Sequence, residues 1–196
     1  MGVSATHLDW TMVPYVRKSF IKHWNDGCKY IEKNFIKGIP PINASIEDKF
    51  FKHMPRAYEY ALDMTTKECY QAVEGMFHNL NTLQSRSGNQ LPFSSINFGT
   101  CTLPEGRMVT KAILNTSLKG IGKLHRTSIF PCSIFQCMKG VNRKQGDPNY
   151  DLFKLALKST AQRLYPNYAN VDWSGNAGYD INDPKTYFST INKTVA

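Results

Sequence analysis

The sequence predicts an α/β fold, a helix-rich first half followed by parallel strand–helix units, and three observations predict it. Apolar residues in the first half recur at steps of four and three, the spacing of one face of a helix. The second half switches rhythm: the short apolar runs "LPFSSINFG", "TSIFPCSIF" and "YANVDWS" alternate with longer amphipathic stretches. Gly and Pro punctuate each change. Strand, helix, strand, helix, strand is the order of a parallel sheet with crossover helices, and in such sheets the chemistry sits beyond the carboxyl ends of the strands.

In the first half, Leu8, Met12, Val16, Phe20, Trp24, Cys28, Ile31 and Phe35 form one stripe of a long helix. Pro14 is compatible only with a helix that begins just before it, because proline has no N–H to give to an interior turn. "KGIPPINAS" breaks the chain, and "IEDKFFKHMPRAYEYALDM" is too interrupted to resolve into elements. In "TTKECYQAVEGMFHNLNTL", Thr65 and Glu68 have capping-box spacing, and Tyr70, Val73, Phe77 and Leu80 share a face. His78 on that helix reads as a partly buried polar residue rather than a metal ligand, since no second His or Cys stands at ligand spacing.

The second half opens with the strand candidate "LPFSSINFG". The helix after it is expected to use Thr102 and Glu105 as a capping box, Pro104 in its first turn, and Gly120 and Gly122 as its stop. "TSIFPCSIF" is the second strand candidate, and "GDPNYDLFKLALKSTAQRLYP" the next helix, with Asp147 as cap, Pro148 at the first position and Pro166 beyond the end. Three strands are few for a parallel sheet buried on both faces, so the architecture predicted from these residues is incomplete.

With 196 residues, 41% hydrophobic and 12% aromatic, the chain has enough apolar mass for one large domain or two small ones. It contains no run of about 18 apolar residues and no basic-then-apolar leader, which predicts a soluble cytoplasmic protein with no membrane partner. Five scattered cysteines without a C-x-x-C pair predict neither a disulfide framework nor a zinc site within the chain. The net charge of +9 is spread along the chain. No element reads as a recognition helix or an RNA-binding strand, so nucleic acid is not expected, and two readings remain: anionic small molecules such as nucleotides, or a solvated basic surface.

One block is recognisable. The segment "SRSGNQLPFSSIN", the run "TSIFP" and the motif "GDPNYD", in that order over about a hundred residues, resemble the central part of the anaerobic (class III) ribonucleoside-triphosphate reductases, and "GVSATHLDWTMVPYVRKS" is similar to the long helix that precedes this region in the family. The resemblance implies a partial ten-stranded α/β barrel of the glycyl-radical enzyme type. It divides the chain into a helical segment packing on the barrel over residues 1–84, barrel strand–helix units over 85–190, and a tail outside the resemblance over 191–196. The implied activity is reduction of ribonucleoside triphosphates to deoxyribonucleoside triphosphates through glycyl and thiyl radicals. Formate is the reductant, a structural zinc, (d)NTP effectors and nucleotide substrates are the implied ligands, and the implied partners are a second copy in a homodimer and a radical-SAM iron–sulfur activase.

The resemblance also implies what to look for at the end of the chain. In the family a Met-Gly-Cys-Arg motif follows a segment similar to "DPKTYFST", whereas here Thr190 is followed by "INKTVA". The expectation is an internal piece of the reductase that carries barrel wall and no catalytic residue or zinc ligand of its own, inactive alone and complemented by remaining reductase fragments. The alternative is a non-catalytic nucleotide-binding or subunit-association fragment. Cys101 and Cys132 lie near strand ends but outside the Gly-Cys-Arg context, and are expected to pack rather than react. Gln90, Ser94, Ser95 and Asn97 are the substrate-binding candidates, able to hold ribose or phosphate oxygens, or only to satisfy neighbouring backbone. Arg17, Lys18 and Lys49 are the effector-binding candidates, able to contact phosphate, or only to form an exposed basic face. Apolar residues such as Ile96, Phe98, Ile129 and Phe130 are expected to be incompletely buried, because a half-barrel lacks the other half's cover.

Overall fold

A computed structural model describes residues 2–32, 40–41, 43–82, 93–173, 178, 180 and 183. Its elements alternate as the second half predicts: β1 (Gly2–Ala5), α1 (Leu8–Thr11), α2 (Val13–Gly27), α3 (Lys49–Lys52), α4 (Pro55–Thr82), β2 (Phe93–Phe98), α5 (Pro104–Lys119), β3 (Cys132–Cys137), α6 (Tyr150–Arg163) and β4 (Asn167–Asn170). The strands form one sheet in the order β1-β2-β3-β4, and every neighbouring pair is parallel. The fold is therefore α/β with a parallel sheet of four strands, one more than the sequence suggests. The extra strand, β1, is a four-residue run, "GVSA", with no bulky residue beyond Val3, so it carries little strand propensity of its own. Its partner β2 makes it a strand, and it places the start of the segment expected to be helical inside the sheet.

The expected long first helix is broken. α1 ends at Thr11, α2 begins at Val13 with Pro14 in its first turn, and a π-helical turn, Cys28–Glu32, follows. Pro14 cannot donate to an interior turn, so the stripe from Leu8 to Cys28 runs across a break rather than along one rod. Phe20, Trp24 and Cys28 still bury against Phe51, Ala57 and Ala61. Trp24 Nε1 donates to Phe51 O at 3.2 Å, tying α2 to α3.

Three expected caps are not formed. α4 starts at Pro55, which leaves Thr65 and Glu68 in mid-helix. At α5 the cap position is Leu103, without a side-chain bond, and Glu105 turns inward to Arg17 instead. α6 starts at Tyr150, three residues after Asp147, whose carboxylate accepts from Lys144 N at 2.8 Å and closes the preceding turn. A longer helix, a tertiary ion pair and a preceding tight turn respectively outcompete a local bond that contributes roughly 1 kcal/mol.

The main core lies between one sheet face and the helices. Ile96, Phe98 and Phe135 from the strands pack with Val73 and Phe77 of α4, Val109, Ala112 and Ile113 of α5, and Leu152 and Ala156 of α6. This corrects the expectation of open apolar strands: Ile96 is 4% and Phe98 0% exposed, because both point to the helical layer. Ile129 is 63% exposed, in line with that expectation, and Phe130 is half-buried against Phe93. No helix among the described residues is long and apolar enough to cross a membrane.

Candidate functional site

Strand alternation sends successive side chains to opposite faces. Because Ile96, Phe98 and Phe135 enter the helical core, Ser95 and Asn97 of β2 and Ile134 and Gln136 of β3 occupy the other face. The register aligns Ser4 with Ser95, Ser95 with Cys132, Asn97 with Ile134, and Gln136 with Ala169. Contacts along this face agree: Ser95 Oγ donates to Ser4 Oγ at 2.9 Å, and Asn167 Nδ2 lies 3.6 Å from Cys132 Sγ. The strand residues of this face include no charged side chain. Asn97 and Gln136 each hold the next-to-last position of their strand and are fully buried, so two neutral carboxamides sit at the carboxyl ends of the two central strands.

The loops beyond those carboxyl ends are tied by three buried side chains. Asp9 of α1 accepts from Gly99 N and Cys101 N, both at 2.9 Å, and from Trp10 N at 3.1 Å. Asn142 donates to Gly99 O at 3.0 Å and Gln136 O at 2.8 Å while accepting from Met138 N at 3.0 Å. Asn149 donates to Gly99 O at 3.2 Å and Cys101 O at 2.9 Å. Gly99 is required here: its φ is +117°, and a Cβ would lie 2.9 Å from the Phe135 ring. The motif "GDPNYD" gains a physical reading from the same contacts. Asn149 crosses to the β2 loop, and Asp151 takes a bidentate bond from Arg107 Nη2 at 2.9 and 2.8 Å.

Burial pushes the Asp9 carboxyl upward from its ordinary pKa, and the N–H groups of Cys101, Gly99 and Trp10 only partly pull it back. Burial, with Asp9 adding to it, pushes the Cys101 thiol up to about 12, and burial alone pushes Cys69 up to about 11. Both therefore stay protonated at neutral pH, as packing residues would. Cys132 is half-buried on the polar face.

The sequence-derived candidates separate. Ser95 and Asn97 share the polar face, whereas Ser94 alternates to the helical side, and Gln90 lies outside the described residues. Arg17 donates through Nε to Glu105 Oε1 at 2.9 Å and through Nη1 to Asn43 O at 3.1 Å. Lys18 on α2 and Lys49 on α3 are exposed. Gln136, Asp9 and Asn142 escaped sequence reasoning; the available signal for Gln136 was a long polar side chain in the otherwise small and apolar run "CSIFQC".

The family model for anaerobic ribonucleoside-triphosphate reductase matches residues 1–186. The chain belongs to that family. It is similar to the anaerobic ribonucleoside-triphosphate reductases of Escherichia coli and Haemophilus influenzae, each 32% identical over 171 residues, covering 87% of this chain and 21% of the relative. The enterobacteria phage T4 enzyme of the same name is 35% identical over 166 residues, covering 85% of this chain and 24% of the relative. The chain thus spans about a fifth to a quarter of the length of the curated relatives it matches. Among the described residues no group of three or more His, Cys, Asp or Glu side chains is placed to hold a metal ion, so these residues do not fit a four-cysteine zinc site.

Proposed function

We propose that this chain forms part of the wall of an anaerobic ribonucleotide reductase barrel, and that the sheet face away from the helices meets the ribonucleoside triphosphate. The observation that carries the reading is the row of uncharged polar side chains, Ser4, Ser95, Asn97 and Gln136, on the face opposite the helical core of a parallel sheet in a chain of this family. Ligands of parallel α/β sheets bind at the carboxyl ends of the strands, where Asn97 and Gln136 stand. The further strands of a ten-stranded barrel would close over the exposed part of that face, around Ser4 and Phe93, which fits the general burial of parallel sheets on both sides. Asp9, Asn142 and Asn149 hold the rim loops rigid, as positioning of a substrate requires.

On this reading the chain supplies walls and rim, and the radical-bearing groups, formate and activase belong to the whole enzyme. The 196-residue chain alone is then inactive toward ribonucleotides under anaerobic conditions with activase, S-adenosylmethionine and formate. Ser95 and Asn97 are substrate-binding residues. Lys18 and Lys49 are effector contacts, and Arg17 acts there while anchored to Glu105.

Equilibrium binding of a fluorescent ribonucleoside triphosphate tests the site. Asn97→Leu should weaken binding about tenfold, the loss of one hydrogen bond of roughly 1.5 kcal/mol. Ser94→Ala, on the helical side, should leave it unchanged. Equal affinity in wild type and Asn97→Leu would overturn the assignment of the face.

A further inference from the structure

Gln136 is the side chain of the described sheet whose two polar atoms are both buried and unused; Ser94 Oγ also lacks a hydrogen-bond partner among the described residues. Gln136 is 0% exposed, and neither Oε1 nor Nε2 has a hydrogen-bond partner among the described residues. Its backbone, by contrast, is held firmly: Gln136 O accepts from Asn142 Nδ2 at 2.8 Å. A buried carboxamide without partners forfeits its bonds to water and gains nothing in return, so a leucine or methionine of similar size would suit the isolated fold better. A buried polar group without partners calls for an explanation, and a ligand that supplies the missing bonds is one.

The neighbourhood of Gln136 says what it would take. It lies on the same face as Asn97, two residues beyond the Asn97 partner Ile134, a diagonal relation that strand spacing and rise put at roughly 8 Å. A ligand group beside Gln136 meets an amide able to donate and accept, and no formal charge from the strands of this face. Phosphate is matched by Arg, Lys or arrays of N–H groups, and a neutral amide lacks that match. A hydroxyl, which both donates and accepts, fits the amide.

We infer that Gln136 is a specificity-determining residue that hydrogen-bonds a sugar hydroxyl of the ribonucleotide, and that this face takes the neutral sugar rather than the phosphates. The inference rests on the nucleotide reading of the face and deepens it. Exclusion of water around the amide strengthens the discrimination, because an analogue lacking the hydroxyl leaves the amide unpaired once more.

The test uses the full chain with a ribonucleoside triphosphate and its 2′-deoxy and 3′-deoxy analogues as probes. The nearly isosteric Gln136→Met should fold with an unchanged or raised melting temperature. It should bind the ribonucleotide about tenfold more weakly than wild type, yet bind at least one of the deoxy analogues within twofold of wild type. In wild type, the Gln136 side-chain amide resonances, assigned by their loss in Gln136→Met, should shift with the ribonucleotide and not with that analogue. A lowered melting temperature would show that the amide has a structural partner, and would overturn the inference. Unchanged ribonucleotide affinity in Gln136→Met, with Asn97→Leu weakened, would overturn it while leaving the nucleotide reading intact. Failure of wild type to bind any of the three probes would remove the nucleotide reading itself, and the inference with it.

Discussion

Arg17 donates to the fully buried Glu105 at 2.9 Å, joining α2 to the first turn of α5. The same carboxylate oxygen accepts from Ile46 N at 3.0 Å, so one ion pair fastens three segments. Removing Arg17 leaves the buried carboxylate uncompensated, which costs about 3–5 kcal/mol. Arg17→Ala should therefore lower the urea midpoint strongly, while the double substitution Arg17→Met with Glu105→Leu should recover much of the loss. A change below about 1 kcal/mol in Arg17→Ala would show that the pair is structurally idle. Any loss of effector response in Arg17→Ala has to be judged against this loss of stability.

Acid should loosen the same contact. Burial works to raise the Glu105 carboxyl, but hydrogen bonds from Arg17, its own N–H, Ile46 N and Ser45 outweigh it and hold the group below its ordinary value of 4.5. At Asp151 burial is likewise outweighed, by the Arg107 hydrogen bonds and charge, and its carboxyl lies below 3.8. A depressed folded pKa stabilises fully above the unfolded value and is lost as pH falls through the folded one. Stability should therefore decline as pH drops below about 4.5, and more shallowly in Glu105→Gln than in wild type. Asp9, raised by burial, acts in the opposite sense: its ionisation opposes folding as pH rises above about 3.8, and Asp9→Asn should remove that component. Parallel profiles for wild type and both variants in urea titrations would contradict these assignments.

Asn149 is the structural reason for its motif. Asn149→Ala leaves Gly99 O with Asn142 as partner and removes the side-chain donor to Cys101 O, so a loss of about 1–3 kcal/mol is expected. Hydrogen exchange should quicken around residues 99–101 more than in α4. Uniform exchange across the chain would separate Asn149 from the β2 loop.

Thiol chemistry should follow burial. Cys101 and Cys69, held protonated by burial, should resist iodoacetamide at neutral pH until the chain unfolds. Cys132→Ser should leave activity of a complemented enzyme within a few fold. Complete loss with the fold intact would make Cys132 a catalytic residue and not a packing one.

How much of this was legible depended on the range of the forces. The α/β class, the strand cores around Ile96 and Ile134, and the start of α2 at Pro14 follow from period, propensity and a missing N–H, all local properties. β1 was not legible because "GVSA" becomes a strand only through β2. Thr65, Glu105 and Asp147 have the spacing or identity of caps, yet a longer helix, an ion pair with Arg17 and a tight turn claim them. Within the candidate site, Ser95 and Asn97 emerged from the recognised motif, but motif adjacency hid the alternation that sends Ser94 to the helices. Gln136 needed coordinates, since its distinction lies in bonds that it does not make.

Photoaffinity labelling with an azido ribonucleoside triphosphate, followed by peptide mapping, tests the central claim most directly. The account predicts crosslinks concentrated in residues 96–101 and 135–142, the carboxyl halves and rim of β2 and β3, competed away by unlabelled ribonucleotide. Specific, competed labels confined to α2 and α3, or to the helical side of the sheet, would contradict it.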